Sequence, residues 1–298
     1  MRHFLLPLVA ASLAVCAAPA RVAAQFLDDD PPKKKKDTTP VDPQKAIQKI
    51  DGDRFKCGII EFNQKTREIR IPAKVAIREG PLEYVLVHET GKFHESLFTT
   101  DARPIELNIV LLLLNWKKSE AFFDFSEPER GGVLVKGAQN PPASLIEMHV
   151  EWKDKDGRTQ TVRAENWMHQ IEKRAKLTRG PWIYTGSIIM PNGQFLAEET
   201  GSILALYQDP GSMMNNPRDG NDLDDVWIAD PGVPAKDTPV TVIFKPVDAA
   251  GSDQPDDKDN TKDKDDAKTK PAASSPDQKS SAKPAPAPAS SSSKKKKP

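Results

Sequence analysis

The stretch HETGKFHES, residues 88–96, contains the residue types from which metal and acid/base sites are built. His88 and His94 stand six positions apart, and a glutamate follows each of them. Imidazole and carboxylate groups bind Zn²⁺ and transfer protons near neutral pH. Between the histidines, Thr90-Gly91 is a turn signal, because glycine accepts the positive φ of a tight hairpin. The stretch therefore predicts a β-hairpin with a histidine on each side of its turn.

The length of this turn decides whether the two histidines can share a site. Because faces alternate along a strand, a turn of two or four residues places His88 and His94 on opposite faces. A turn of three or five residues places them on one face. The two-residue form is usual for an X-Gly hairpin, but threonine is unfavourable at its first position, so both alternatives stay open.

Three consecutive residues, His94, Glu95 and Ser96, offer parts of a nucleophile–base pair. In a strand, Glu95 points away from the other two, so no local Ser–His–acid triad is possible. A structural histidine that satisfies a core hydrogen bond is the alternative interpretation. The catalytic candidates are His94, Glu95, Ser96 and Glu83, and the metal candidates in this region are His88 and His94.

A second segment, DGNDLDD at residues 219–225, has the oxygen-rich composition of a calcium loop. Carboxylate and amide oxygens are the ligands that Ca²⁺ prefers. The EF-hand pattern fails, however, because the glycine is misplaced and no glutamate ends the loop. An ordinary polar loop is the alternative. The candidate ligands are Asp219, Asn221, Asp222 and Asp225.

A third polar set lies on SLIEMHVEW, residues 144–152, in which apolar and polar residues alternate. Glu147, His149 and Glu151 share one face and could hold Zn²⁺ or Mn²⁺. A solvated sheet face shows the same alternation, so an ordinary outer face is the alternative. Asp156-Gly157 predicts a hairpin turn after this strand.

The sequence predicts no cofactor. Cleavage of an export signal after Ala24 would leave Cys57 as the only cysteine, which excludes disulfides, iron–sulfur clusters and cysteine-rich zinc sites. No Gly-rich phosphate loop and no HExxH motif is present. The 43 basic and 43 acidic residues balance, so no net charge favours nucleic acid as a partner.

The predicted fold class is α+β, with a mainly antiparallel sheet. Short strand-like runs outnumber helical patterns, and short connections dominate. The segment at about 102–116 is apolar almost all round, which predicts one buried helix with Asp101 as its N-cap. The segment at about 164–174 predicts a second, short helix.

The N-terminus has the pattern of an export signal. A short polar start precedes an apolar stretch, and Val22-Ala23-Ala24 fits a small-residue cleavage rule. We therefore expect a soluble mature chain in the periplasm or cell envelope. Cys16 also stands in an approximate lipoprotein signal, so a lipid anchor at Cys16 is an alternative, and a retained N-terminal anchor is another.

Composition divides the chain into four parts. Residues 1–24 are the predicted signal peptide, 25–45 a disordered charged linker, 46–249 the globular domain and 250–298 a disordered tail rich in Pro, Ala, Ser and Lys. The end of the tail could contact an anionic wall or membrane surface, although a solubilising role is the alternative. The residues for that contact are Lys294, Lys295, Lys296 and Lys297.

Several short elements follow one another between Gly80 and Leu114, and a looser one comes later in the chain. They are Gly80, Leu82-Glu83, Gly91-Lys92, His94 to Leu97, Thr100 to Ala102 and, more loosely, Tyr207 to Pro210. In these residues the chain resembles the YdjY-domain family of bacterial exported proteins. The resemblance implies an exported, envelope-associated setting and supplies no reaction. Some family members are described as ferredoxin-like, but this chain lacks the cysteines for a cluster.

Three functional hypotheses follow. The first is a non-enzymatic YdjY-like protein that binds a ligand or partner at the cell envelope, because no complete catalytic constellation is present. The second is a metal-dependent or acid/base hydrolase centred on His94, with His88, Glu83 or Glu95 as helpers. The third is a structural envelope protein without a ligand.

Overall fold

In the part of the chain that the structure describes, most of the regular secondary structure is β-strand. The computed structural model describes residues 36–127, 132–138, 140, 144–223 and 226–247. In this part of the chain the helices are α1 (Pro43–Ala46), α2 (Pro104–Leu113) and α3 (Leu196–Thr200). The strands are β1 (Ile47–Asp51), β2 (Arg54–Cys57), β3 (Ile60–Asn63), β4 (Ile69–Val75), β5 (Tyr84–His88), β6 (Ser96–Thr100), β7 (Phe123–Asp124), β8 (Val133–Leu134), β9 (Leu145–Lys153), β10 (Thr159–Arg163), β11 (Met168–Gln170), β12 (Ala175–Lys176), β13 (Trp182–Tyr184), β14 (Ser202–Ala205), β15 (Met214–Asn215), β16 (Trp227–Ala229) and β17 (Pro239–Pro246).

Eight strands close into a barrel in the order β4, β17, β9, β13, β15, β14, β5 and β6. The ring closes where the end of β4 pairs with β6, through Lys74–Thr99 and Val75–Phe98. Neighbours in the ring run antiparallel except for two parallel pairs, β5–β6 and β14–β15. The fully buried core side chains include Phe98, Met148, Trp182 and Phe244.

Further strands attach to the outside of this ring. The β1–β2–β3 meander pairs with the first part of β4, and β10 pairs with β9. Two smaller sheets, β12–β11–β16 and β7–β8, complete the described strands. The pairing of β9 with β10 confirms the hairpin that Asp156-Gly157 predicts.

The predicted fold class, α+β with a mainly antiparallel sheet and a buried helix, is wrong. The protein is mostly β, with a closed ring of eight strands and, in its described residues, three short helices. The last strand, β17, inserts between β4 and β9, which are far apart in sequence. Because register and partner depend on contacts between distant segments, a strand pattern alone does not reveal this closure.

Helix α2 lies within the predicted 102–116 segment, but only one side of it is buried. Leu107, Val110 and Leu111 are fully buried, whereas Leu112 is 60% and Leu113 48% exposed. A helix packed on the outside of a sheet buries one face only, so four consecutive leucines cannot all be covered. No helix among the described residues combines the length and apolar character that crossing a membrane requires.

The N-terminus of α2 is capped from a distance. The N-cap is Arg103, not the predicted Asp101, because Pro104 occupies the first helical position. A glutamate from α3 supplies the missing acceptor: Glu198 accepts from the Ile105 N–H at 2.9 Å and pairs with Arg103 at 2.7 Å. Long-range capping of this kind leaves no local signature in the sequence.

The predicted helix at 164–174 is wrong. A 3₁₀ turn spans Ala164–Trp167, and β11 follows it directly. Trp167 is anchored in the core, 4.8 Å from the Trp152 ring and 5.9 Å from the Phe98 ring. Pairing of β11 with β12 and β16 then overrides the weak helical preference of this segment.

Candidate functional site

The stretch at residues 88–96 is not a hairpin. Strands β5 and β6 run parallel, with Tyr84 opposite Ser96 and His88 opposite Thr100. The chain returns from the end of β5 to the start of β6 through a tight connection and a 3₁₀ turn, Phe93–Glu95. The hairpin prediction is therefore wrong, and turn length no longer governs how the histidines are arranged.

Two glycines permit this short connection. A Cβ on Gly91 would lie 2.8 Å from the Thr200 carbonyl oxygen, and one on Gly201 would lie 3.0 Å from the Gly91 Cα. The backbone at Gly91 therefore crosses and touches the backbone at Thr200 and Gly201, just before β14 begins. The close crossing lets the chain reverse without the dozen or more residues that parallel strands usually require.

The histidines lie towards opposite ends of β5. His88 ends the strand, whereas His94 precedes Ser96, which pairs with the first residue, Tyr84. Four strand residues separate these ends by about 13 Å. Among the described residues, no group of three or more His, Cys, Asp or Glu side chains could hold a metal ion.

His88 is half-buried and serves as a hydrogen-bond acceptor. Its Nδ1 accepts from the Thr90 backbone N–H at 3.2 Å and lies 2.8 Å from Thr90 Oγ1. Burial lowers the pKa of His88. The nearby carboxylates Glu198 and Asp101 oppose this shift, and the cations Lys36 and Arg103 add to it. The imidazole is thus held in its neutral form.

Replacing His88 by asparagine is expected to reduce the loss of stability on acidification. The folded-state pKa lies below the unfolded value of about 6.5, so stability is complete above that pH and falls as pH drops towards the folded pKa. Urea unfolding between about pH 8 and pH 5 measures this slope. His149, whose pKa burial also lowers, leaves a residual slope in the variant. Equal slopes in both proteins would contradict the assignment.

Two catalytic candidates at the other end of β5, His94 and Ser96, have different surroundings in the structure. His94 is exposed and packs against Phe93, with ring centroids 3.8 Å apart and the ring planes tilted by 40°. Ser96 is fully buried, and its hydroxyl donates to the Lys92 carbonyl at 2.6 Å. This hydroxyl therefore fixes the 3₁₀ turn instead of standing ready as a nucleophile.

Glu83 and Glu95 do come together, around Lys92. The Lys92 ammonium lies 3.2 Å from Glu83, 4.0 Å from Glu95 and 5.1 Å from the Tyr84 ring centroid. Burial, followed by the neighbouring Glu83, raises the pKa of Glu95. Burial alone would lower the pKa of Lys92, but Tyr84 and Glu83 raise it. The shared Lys92 ammonium thus links both carboxylates and holds the connection against β5.

Tyr84 joins this cluster to a second segment of the family resemblance. Its hydroxyl donates to Asp209 at 3.1 Å, and burial together with the Asp209 charge raises the pKa of Tyr84 to about 12. Asp209 also accepts from the Gly211 N–H at 2.8 Å, and the Gly211 carbonyl accepts from the Ser187 hydroxyl at 2.5 Å. A chain of hydrogen bonds thus runs from β5 to the segment after β13.

Two of the predicted calcium ligands, Asn221 and Asp222, already have other partners. Asn221 is buried and donates to the Asn216 carbonyl at 2.5 Å. Asp222 pairs with Lys136 at 2.8 Å, and this hydrogen bond lowers the pKa of Asp222. Asp219 lines a polar cavity of about 460 Å³ beside them. Asp225 lies outside the described residues, as do Cys16 and the terminal lysines 294–297.

The polar face of β9 is a surface of ion pairs. Glu147 pairs with Arg163 at 2.9 Å and lies 3.4 Å from His149, and Glu151 pairs with Arg70 at 2.8 Å. Burial alone would raise the pKa of Glu147, but Arg163 lowers it. Arginine therefore takes the place that a metal would need among these carboxylates.

An apolar groove, which the sequence analysis missed, lies between α2 and the segment from residue 186 to 195. Its volume is about 600 Å³. Three wall residues are strongly exposed, Leu112 at 60%, Ile189 at 65% and Phe125 at 48%. The apolar wall consists of Leu112, Trp116, Phe125, Ile188, Ile189 and Phe195. We call this site the α2 groove.

Local geometry holds the walls of the α2 groove in place. Gly186 and Ser187 have positive φ values of 79° and 58°, which turn the chain out of β13. The Ser187 hydroxyl donates to the Gly211 carbonyl and accepts from the Ala197 N–H at 3.0 Å, which ties this turn to α3. Across the groove, the Tyr184 hydroxyl donates to Asn108 of α2 at 3.1 Å.

Fold and site together define a mostly β domain with an apolar surface groove. The YdjY domain family matches this chain over residues 60–245, which run from the start of β3 into β17. The chain therefore belongs to the YdjY domain family. Searches of curated proteins and of solved structures gave no match.

Proposed function

We propose that this chain is an exported ligand-binding protein of the cell envelope, which holds a small apolar molecule in the α2 groove without transforming it. The observation that carries the proposal is the groove itself, with Leu112, Ile189 and Phe125 exposed along one continuous cleft. Exposed apolar surface gathered in a concave site is typical of a binding site.

The dimensions favour a small molecule as the occupant. A volume of about 600 Å³ falls within the range of small-molecule pockets. Aromatic rings from Trp116, Phe125 and Phe195 offer flat contact surfaces. The bond between Tyr184 and Asn108 fixes two elements of the wall relative to each other, which lowers the ordering cost of binding.

The hydrolase hypothesis has less support from the geometry. The Ser96 hydroxyl is buried and committed to the Lys92 carbonyl, and His94 lies on the exposed side of the turn. Glu83 and Glu95 are both engaged by Lys92. A binding role needs none of these groups to react, and it needs no cofactor.

Replacing Leu112 by aspartate is expected to weaken binding of the neutral fluorescent probe N-phenyl-1-naphthylamine by about tenfold or more, because the variant removes apolar contact and adds a charge. Leu113→Asp is the matched control, since Leu113 is also exposed on α2 but does not line the groove. Probe titration of the purified domain measures both affinities.

The results of this titration distinguish a small apolar ligand from a second copy of the chain and from no ligand at all. Probe binding that Leu112→Asp abolishes and Leu113→Asp leaves intact supports the proposal. Equal effects of the two variants, or no binding at all, would overturn it in favour of a structural protein. Self-association that Leu112→Asp abolishes, measured by sedimentation, would assign the groove to a second copy and also overturn it.

A further inference from the structure

We infer that the ligand of the α2 groove is an amphipathic monocarboxylate, with its apolar body along the groove and its carboxylate at Lys118. This inference rests on the proposed function and specifies the chemistry of the ligand. It follows from the charge of Lys118 and from the other polar groups that line the groove.

The first argument is charge. Among the residues that line the groove, Lys118 is the charged one, and none is acidic. A single cation beside an apolar wall attracts an anion and disfavours a cation. A neutral apolar ligand would make no use of this ammonium.

The second argument is the way in which Lys118 is held. Its aliphatic stem packs on Gly186: a Cβ there would lie 2.8 Å from the Lys118 Cδ and 3.0 Å from its Cβ. The absence of a side chain at Gly186 makes room for this stem. Lysine covers apolar surface with its stem and keeps its charge at the water boundary. The ammonium is therefore placed at the rim of the groove.

The third argument is the hydrogen-bonding capacity of Tyr184 and Asn108, which also line the groove. Tyr184 donates its hydroxyl to the Asn108 Oδ1 at 3.1 Å, so the amide Nδ2 of Asn108 remains a donor. Burial raises the pKa of Tyr184 to about 12, which keeps this hydroxyl protonated. Ammonium and amide donors together suit the oxygens of a carboxylate.

The present partner of Lys118 is replaceable. Glu120 lies 3.3 Å from the Lys118 ammonium, and the two side chains are 78% and 52% exposed, respectively. Such exposed ion pairs are weak, so a carboxylate bound beside an apolar wall can displace Glu120. Removing Glu120 should therefore strengthen binding of an anion.

The test is displacement of N-phenyl-1-naphthylamine from the folded domain by 1-naphthoate and by its neutral isostere 1-naphthamide. We expect the carboxylate to compete about fivefold more strongly than the amide. Lys118→Met, which keeps the aliphatic stem, should abolish this difference. Glu120→Gln should enlarge the difference.

Lys117→Met is the matched control, since Lys117 is exposed beside Lys118 but does not line the groove. It should leave the preference intact. Equal competition by carboxylate and amide, or a preference that survives Lys118→Met, would overturn the inference while the neutral probe still binds. Loss of neutral-probe binding in Leu112→Asp, tested separately, reports on the proposed function alone.

Discussion

Replacing Glu165 by alanine is expected to lower the free energy of unfolding by about 3–5 kcal/mol. Glu165 is fully buried and lies 2.8 Å from Arg218 and 3.2 Å from Arg163. Without it, Arg218, whose side chain is only 10% exposed, would stay inside the protein without a counter-charge. Loss of one partner from a buried pair is far more harmful than loss of an exposed pair.

The rest of the Arg218 site explains why the guanidinium cannot simply move to water. It donates to the carbonyls of Thr178 and Gly180, each at 2.6 Å, and lies 4.5 Å from the Trp182 ring centroid. Burial lowers the pKa of Arg218 to about 10, so the group remains charged at neutral pH. The network thereby joins the end of β10 to the loops before β13 and after β15.

Urea unfolding of the purified domain measures this effect. The matched control is Glu151→Ala, since Glu151 pairs with Arg70 at the same 2.8 Å distance but both side chains are about one-third exposed. That control should lose at most about 1 kcal/mol. Adding Arg218→Met to Glu165→Ala should recover part of the lost stability, because it removes the uncompensated charge. Similar losses from the two alanine variants would refute a special role for Glu165.

Gly201→Ala is expected to lower the free energy of unfolding by about 2–4 kcal/mol, for two reasons that add. Gly201 has a φ of 76°, which L-residues with a Cβ rarely adopt. Its added Cβ would also lie 3.0 Å from the Gly91 Cα and 3.1 Å from the Gly91 nitrogen. Both opposing atoms belong to backbone, so the parallel β5–β6 connection would have to shift.

Two further variants distinguish the effect of the positive φ from the effect of the close backbone contact. Gly193 has a φ of 84° but no atom within 4 Å of an added Cβ, so Gly193→Ala should lose only about 1–2 kcal/mol. Gly91→Ala tests the close approach by itself, because its Cβ would lie 2.8 Å from the Thr200 carbonyl oxygen. Denaturant unfolding compares all three. If Gly201→Ala and Gly193→Ala are equally stable, the backbone crossing does not limit this connection.

Local elements of the fold could be predicted where neighbouring residues supply the whole signal. The β9–β10 hairpin follows from clean alternation and the Asp156-Gly157 turn. Helix α2 follows from its apolar run. The 164–174 segment failed because its residues prefer a helix only weakly, whereas β12 and β16 provide strand partners.

The candidate site also has parts that the sequence predicts and parts that it does not. Sequence reasoning singled out Glu83 and Glu95, and the structure does bring these two side chains together, but the lysine between them was not foreseen. The α2 groove went unnoticed, because its walls come from separate segments around residues 108–118, 125 and 184–195. One signal was available: the four leucines at 111–114 point in too many directions for one helix to bury them all.

By itself, the sequence determined the family of this protein, the β9–β10 hairpin and the position of the one long helix, since each depends on residues close together along the chain. Only the tertiary structure decided that β4 meets β6, that β5 and β6 run parallel and that exposed Leu112 faces Ile189 across a groove. These contacts depend on which distant surfaces exclude water together, and that free energy belongs to the whole folded chain.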